Sequence, residues 1–142
     1  MNFQKDFTIN TAIGALIVVN TSAMNRSEFQ SLPSHIQRKY AEREYWKVSK
    51  KILKEFRDEG AFRDDFGVIV ETHHCWSRAH CPLWLIFQKE NLFPISKELH
   101  RIIHDKAPSK MTPLEKQYYD AIQKQKEKLQ NDEKIYTSSS PA

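Results

Sequence analysis

Five of the six histidines of this 142-residue chain, His73, His74, His80, His100 and His104, fall between positions 73 and 104, where even spreading would place one or two. Imidazole ligates divalent metals as a neutral ring and exchanges protons near neutral pH, so the cluster points to metal or acid–base chemistry. His100 and His104 stand four apart, the spacing that puts two side chains on one helix face within reach of one ion. His73 and His74 are adjacent. At the end of a strand, neighbours project to opposite sides, so one ring can turn toward that helix while the other faces away. The implied chemistry is divided: His73, His100 and His104 can hold a divalent metal with positions left open for water or substrate, and His74 stays unligated as a general base.

These groups need elements to position them. Val68-Ile69-Val70 is a β-branched run suited to a strand that ends in Glu71, Thr72, His73 and His74. From Cys75 to Glu90 no period is clean, and Pro82 adjoins Leu83, Trp84, Leu85, Ile86 and Phe87, which reads as a long loop around an apolar knot. Asn91 to Ile95 forms a second strand, with Pro94 tolerated only at an edge or strand end. Ser96 begins a helix with Leu99, Ile102 and Ile103 inward, and Pro108 stops it. The core at 66–106 therefore runs strand, loop, strand, helix.

Long helices flank that core. Ser34 and Gln37 fit a capping box opening a helix over 34–59, with Ile36, Tyr40, Tyr45, Val48, Ile52 and Phe56 as an apolar stripe and Gly60 at the left-handed position after it. Its other face carries Arg38, Lys39, Arg43, Lys47, Lys50, Lys51, Lys54 and Arg57, either a solvated face or a phosphate-tracking surface. Thr112-Pro113-Leu114-Glu115 opens a helix over 112–134 whose apolar content thins after Ile122, and 137–142 reads as a disordered tail. Residues 1–30 read as an N-terminal arm or strand. The stretch Ala12 to Val19 could be taken for a secretion signal, but it is short and Asp6 cancels Lys5, so a strand in a cytoplasmic protein is expected.

The length suits one domain, and 39% apolar with 28% charged residues suits an ordinary soluble globule, which excludes collagen-like, mucin-like and disulfide-dense classes; the strands and helices read above make its class α+β. No apolar run reaches the ~18 residues of a membrane span. Two cysteines cannot supply a four-thiolate zinc ribbon. The net charge of +4 and pI near 9.0 permit an anionic partner without the basicity of a chromatin-type binder.

The tract Glu71-Thr72-His73-His74, then Asn91-Leu92, then His100-Arg101-Ile102-Ile103-His104 resembles the HNH endonucleases of the ββα-metal superfamily. The pattern E-x-H-H, N, H-x-x-x-H is especially similar to colicin-type nuclease domains. His73-His74-Cys75-Trp76-Ser77-Arg78 also looks like the H-H-x-x-x-R opening of phage and bacterial members. The gaps are 17 residues from His74 to Asn91, nine to His100 and four to His104. The resemblance covers about 40 residues. It implies a ββα-metal core with one divalent metal (Mg²⁺, Mn²⁺, Ni²⁺ or Zn²⁺) at His73, His100 and His104 and the general base at His74. Asn91 would tie down the loop after the base, and Glu71 would support a metal ligand. The substrate would be DNA. Arg78, Lys97 and Arg101 are the nearest cations for phosphate. The C-x-x-C pairs of many members are missing, so no structural zinc is expected, and the flanking helices must hold the core by packing on Trp84, Phe87 and Phe93. If the biological role were that of a toxin, an inhibitory or immunity partner would follow.

Other readings stay open. A non-catalytic module could use the three histidines with Cys75 or Cys81 as a closed zinc site, or bind nucleic acid through the basic helix alone. His80 is read as a loop residue, Cys75 and Cys81 as unpaired thiols, and Trp76 and Trp84 as core rather than base-stacking platforms.

Overall fold

The computed structural model describes residues 6–10, 16–20 and 24–139, and the chain divides into two compact units, 1–39 and 40–142. In the first, β1 (Asp6–Asn10) and β2 (Leu16–Asn20) pair antiparallel with Asp6 opposite Asn20. The strand expected over Ala12 to Val19 is met from Leu16 on, and 12–15 lie outside the described residues. A short helix not anticipated from the sequence, α1 (Arg26–Gln30), opens on a capping box in which Asn25 Oδ1 accepts the Glu28 N–H at 2.8 Å and Glu28 Oε1 accepts the Asn25 N–H at 3.2 Å.

The next helix, α2 (Ser34–Asp58), begins differently from expectation. Ser34 is itself helical, the Pro33 carbonyl takes the Ile36 and Gln37 N–H groups at 2.9 Å, and the Gln37 amide donates instead to the carbonyls of Gln30 and Leu32. The capping box is not made because the Gln37 N–H is taken by Pro33 and its side-chain amide by the two preceding carbonyls. Along the expected stripe Tyr40 and Ile52 are buried, Tyr45, Val48 and Phe56 are half-buried, and Ile36 is exposed. All the basic residues of the opposite face are exposed. The far end closes as expected on Gly60 at φ +81°, with the Gly60 N–H on the Arg57 carbonyl and the Ala61 N–H on that of Phe56.

The second unit is α+β, built on an antiparallel sheet in the order β3 (Arg63–Asp64), β4 (Gly67–His74) and β5 (Leu92–Ser96). Pro94 sits on the edge strand β5, where its missing N–H costs no ladder bond on the open side. An extra residue between Ile69 and Glu71 shifts the β4–β5 register, after which Thr72, His73 and His74 face Pro94, Phe93 and Leu92. Asp64 ties the start of the sheet to the start of the next helix, accepting the Phe66 and Gly67 N–H groups through Oδ1 and the Ser96 N–H at 2.7 Å through Oδ2. Ser96 then caps α4 (Lys97–Asp105) through its hydroxyl on the Leu99 N–H.

The segment expected as a loop contains a turn of helix, α3 (Leu83–Ile86), and a 3₁₀ turn at Lys89–Asn91. Its apolar knot is core. Leu85, Ile86 and Phe87 are buried, and Trp76, Trp84 and Phe93 pack on a cluster of Cys75, Leu85, Ile122 and Leu129. Tyr40 of α2 meets Phe87 edge-on at 5.6 Å, so both long helices clasp this region. Each fully buried Leu, Ile or Phe here stabilises the fold by roughly 1.5–3 kcal/mol. Cys75 and Cys81 are unpaired.

The last helix, α5 (Pro113–Ser139), runs beyond the expected end, so 137–139 are helical rather than disordered and 140–142 lie outside the described residues. Leu129 is buried, which anchors a stretch whose composition suggests solvent. The capping box at its start forms: Glu115 Oε1 accepts the Thr112 N–H at 2.9 Å and Thr112 Oγ1 accepts the Glu115 N–H at 3.2 Å, with Lys106 Nζ 2.6 Å from the same carboxylate. Thr112→Ala is expected to cost about 1 kcal/mol. The hydrogen bond from Lys106, followed by that from Thr112, lowers the Glu115 pKa. Its stabilisation is therefore present at neutral pH and disappears as pH falls through the lowered value. Thermal melts of wild type and Glu115→Gln are expected to differ at neutral pH and converge in acid. Among the described residues no helix is long and apolar enough to cross a membrane.

Candidate metal centre

β4 separates two groups of side chains. Glu71 and His73 point to α4, whereas Thr72 and His74 point to α2, where the Thr72 hydroxyl meets that of Ser49 at 2.8 Å in the interior. On the first side His73 meets His100 and His104 of α4, with ring centroids 5.0 and 5.1 Å away, and one nitrogen from each of the three rings lies within 4.8 Å of the others. His100 and His104 bring their Nε2 atoms to 3.0 Å. Metal–imidazole bonds are about 2.0–2.1 Å, so small ring rotations bring all three onto one ion.

Glu71 fixes the polarity of this group. Its Oε2 lies 2.6 Å from His100 Nδ1. A carboxylate only accepts, so Nδ1 carries the hydrogen and Nε2 is left with its lone pair toward the other histidines. His73 is pushed down to about 3, first by burial and then by the positive charge that His100 and His104 would bring. It is therefore neutral at physiological pH, the form that ligates. His104 is exposed, and the cluster opens to solvent on that side.

On the opposite side His74 stacks on Tyr45 of α2 at 5.0 Å and 28°. Its Nε2 lies 3.0 Å from the Ile86 carbonyl, which can only accept, so the hydrogen of the neutral ring resides on Nε2 and Nδ1 is the basic atom. Burial lowers the His74 pKa, partly opposed by that carbonyl. Asn91 holds the surroundings. It is fully buried; its Oδ1 accepts the Trp76 N–H at 2.7 Å, and its Nδ2 donates to the carbonyls of Trp76 and Leu85, each at 3.1 Å. The carbonyl of Asn91 takes the Cys75 N–H. It thus clamps the two residues after His74 to the α3 turn whose Ile86 carbonyl the imidazole uses.

The three candidate phosphate cations are placed unequally. Arg78 lies over the Tyr45 ring at 5.6 Å and pairs with Glu42, so Tyr45 has a guanidinium and the His74 ring as neighbours. Lys97 is exposed, three residues before His100 and so on the face of α4 that carries the histidines. Arg101 is exposed, and its Nη2 donates to both Glu98 carboxylate oxygens at 2.6 and 2.7 Å. His80 is exposed beside Ser77, outside the histidine group.

Neither thiol joins that group among the described residues. Cys75 and Cys81 pack with the apolar cluster, and burial pushes both up to about 11, the reverse of what a metal thiolate requires. The alternative ligand set with Cys75 or Cys81 is therefore not assembled. Two residues of this site carried no signal in the spacing of the chain. Tyr45 counts in the sequence only as one more apolar position on a stripe, and the Ile86 carbonyl is a backbone atom that any residue would supply. Compared with protein-family models, curated proteins and solved structures, the chain matches none.

Proposed function

We propose that this chain is a metal-dependent endonuclease of the HNH, ββα-metal type, hydrolysing phosphodiester bonds of DNA. The observation that carries this reading is the opposition of His73 and His74 across β4: one imidazole joins two helical histidines so that a nitrogen of each converges, and its neighbour is held through Nε2 by a carbonyl and against a tyrosine ring, which leaves Nδ1 as its basic atom. In this reading His74 takes the proton of the attacking water through Nδ1 while Nε2–H stays on the Ile86 carbonyl, so the ring cannot turn as it charges. Glu71 keeps His100 oriented, and Asn91 keeps the His74 segment and α3 in register. A divalent ion at His73, His100 and His104 supplies, when bound, Lewis-acid stabilisation of the charge on the leaving oxygen. In this reading Lys97 meets phosphate directly, whereas Arg78 and Arg101 would first have to leave Glu42 and Glu98. The choice of DNA over RNA rests on the family resemblance alone.

Purified chain with a panel of Mg²⁺, Mn²⁺, Ni²⁺ and Zn²⁺ is expected to nick or linearise supercoiled plasmid, and plasmid left intact under every metal would overturn the reading. Glu71→Gln is expected to weaken metal affinity by about 10–100-fold, measured by competition with a chromophoric chelator, because the carboxylate that raises the basicity of His100 is lost. A closed structural zinc site is disfavoured by the exclusion of both thiols. Chelation is accordingly expected to abolish cleavage with a small change in melting temperature, whereas a structural site would unfold.

A further inference from the structure

The basic face of α2 holds an aromatic group that a solvated face does not require. Trp46 is 55% exposed in the midst of it. Arg43, Lys50 and Arg57 lie three, four and eleven residues from Trp46 and hence on the same side of the helix, over a length of about 21 Å. Lys47 and Lys54 continue the same exposed surface, paired to Glu44 and Asp58 within the helix. The exposed Lys54–Asp58 pair contributes little and yields readily to a phosphate, whereas Lys47 answers a buried Glu44 carboxylate.

Trp46 also connects with the site described above. Its ring lies 5.0 Å from that of Tyr45, which stacks on His74 and carries the Arg78 guanidinium. A continuous surface therefore runs from His74 through Tyr45 and Arg78 to the indole and on along a row of cations.

We infer that this surface binds single-stranded nucleic acid, with Trp46 as a base-stacking platform and the α2 cations tracking the phosphates, so that an unpaired strand is fed toward His74. An open indole can stack any base, but only one that is not already stacked within a duplex, and a cationic row at its side supplies sequence-independent attraction. A purely electrostatic face would hold duplex equally well and would gain nothing from a tryptophan. The inference rests on the proposed nuclease reading for its direction, toward His74, and on the exposed surface alone for its ligand.

The test is fluorescence anisotropy with labelled oligothymidylate of about 20 nucleotides and a duplex of equal length, in EDTA and with His74→Ala as the background chain, so that cleavage plays no part. The single strand is expected to bind about tenfold more tightly than the duplex. Trp46→Ala is expected to lose about tenfold for the single strand, and Trp46→Phe to keep most of the affinity. Lys50→Glu with Arg57→Glu is expected to weaken binding and to flatten its dependence on salt by about 0.7 per lost contact. Unchanged binding by Trp46→Ala with unchanged circular dichroism would overturn the inference, as would duplex binding as tight as single-strand binding. A chain that shows this binding yet leaves plasmid intact would retain the surface and lose the nuclease reading; a chain that cleaves without it would do the reverse.

Discussion

His74→Ala is expected to cut DNA about 10²–10⁴-fold more slowly than wild type while holding its divalent ion with unchanged affinity. The two effects separate because His74 faces away from the histidine cluster, toward Tyr45 and the Ile86 carbonyl, and contributes no atom to the convergent group. The cost to the fold is modest, on the order of 1 kcal/mol, since one hydrogen bond and one ring contact are lost from a half-buried position. Single-turnover cleavage and a metal titration on the same preparations check this. Equal rates for mutant and wild type would remove His74 from the mechanism.

Asn91→Ala is expected to be the most destabilising single substitution in the core. The amide is fully buried and serves three main-chain groups at once: the Trp76 N–H and the carbonyls of Trp76 and Leu85. Truncation leaves the Trp76 N–H and carbonyl without these partners, at roughly 1–3 kcal/mol for each unpaired group, while the Leu85 carbonyl keeps the Gln88 N–H at 3.4 Å. A total loss of about 3–5 kcal/mol follows, a fall in melting temperature on the order of 10–20 °C. Asn91→Asp is expected to fail as well, because a carboxylate would face two carbonyls where the amide donates. Denaturant unfolding checks both. A loss below about 1 kcal/mol for either substitution would mean that the clamp is not what holds the segment after His74.

What could be read from the chain divides along a physical line. Local hydrogen bonding was legible: Thr112 and Glu115, Ser96 and Leu99, and Gly60 at positive φ all do what their spacing implies, because their partners lie within a turn. The placing of His73 against His100 and His104 was legible too, since two periodicities, of strand and of helix, determine it. Where several partners competed for one group, spacing failed. Gln37 gives its amide to Gln30 and Leu32, so the box with Ser34 is not made. The extent of α5 was missed because its second half is polar. It is anchored by Leu129 and crossed by the pair Lys128–Asp132, contributions no apolar period reveals.

The division between Arg78 and Arg101 shows the same limit. Both are cations close in sequence to the histidines. Arg78 is carried to the Tyr45 ring by the fold of the 75–81 segment, and Arg101 is taken by Glu98 on its own helix. Proximity in sequence could not tell them apart, because the contacts of Arg78 with Tyr45 and Glu42 are tertiary and that of Arg101 is an i, i+3 pair.

The most direct test of the proposed centre is a titration of metal-free protein with Mn²⁺ or Ni²⁺ in which plasmid cleavage and bound metal are followed together. Cleavage is expected to rise in step with occupancy of one ion per chain, and both are expected to be lost when His73, His100 and His104 are replaced by alanine. Cleavage that proceeds in EDTA, or occupancy that survives the triple replacement, would contradict the proposed centre.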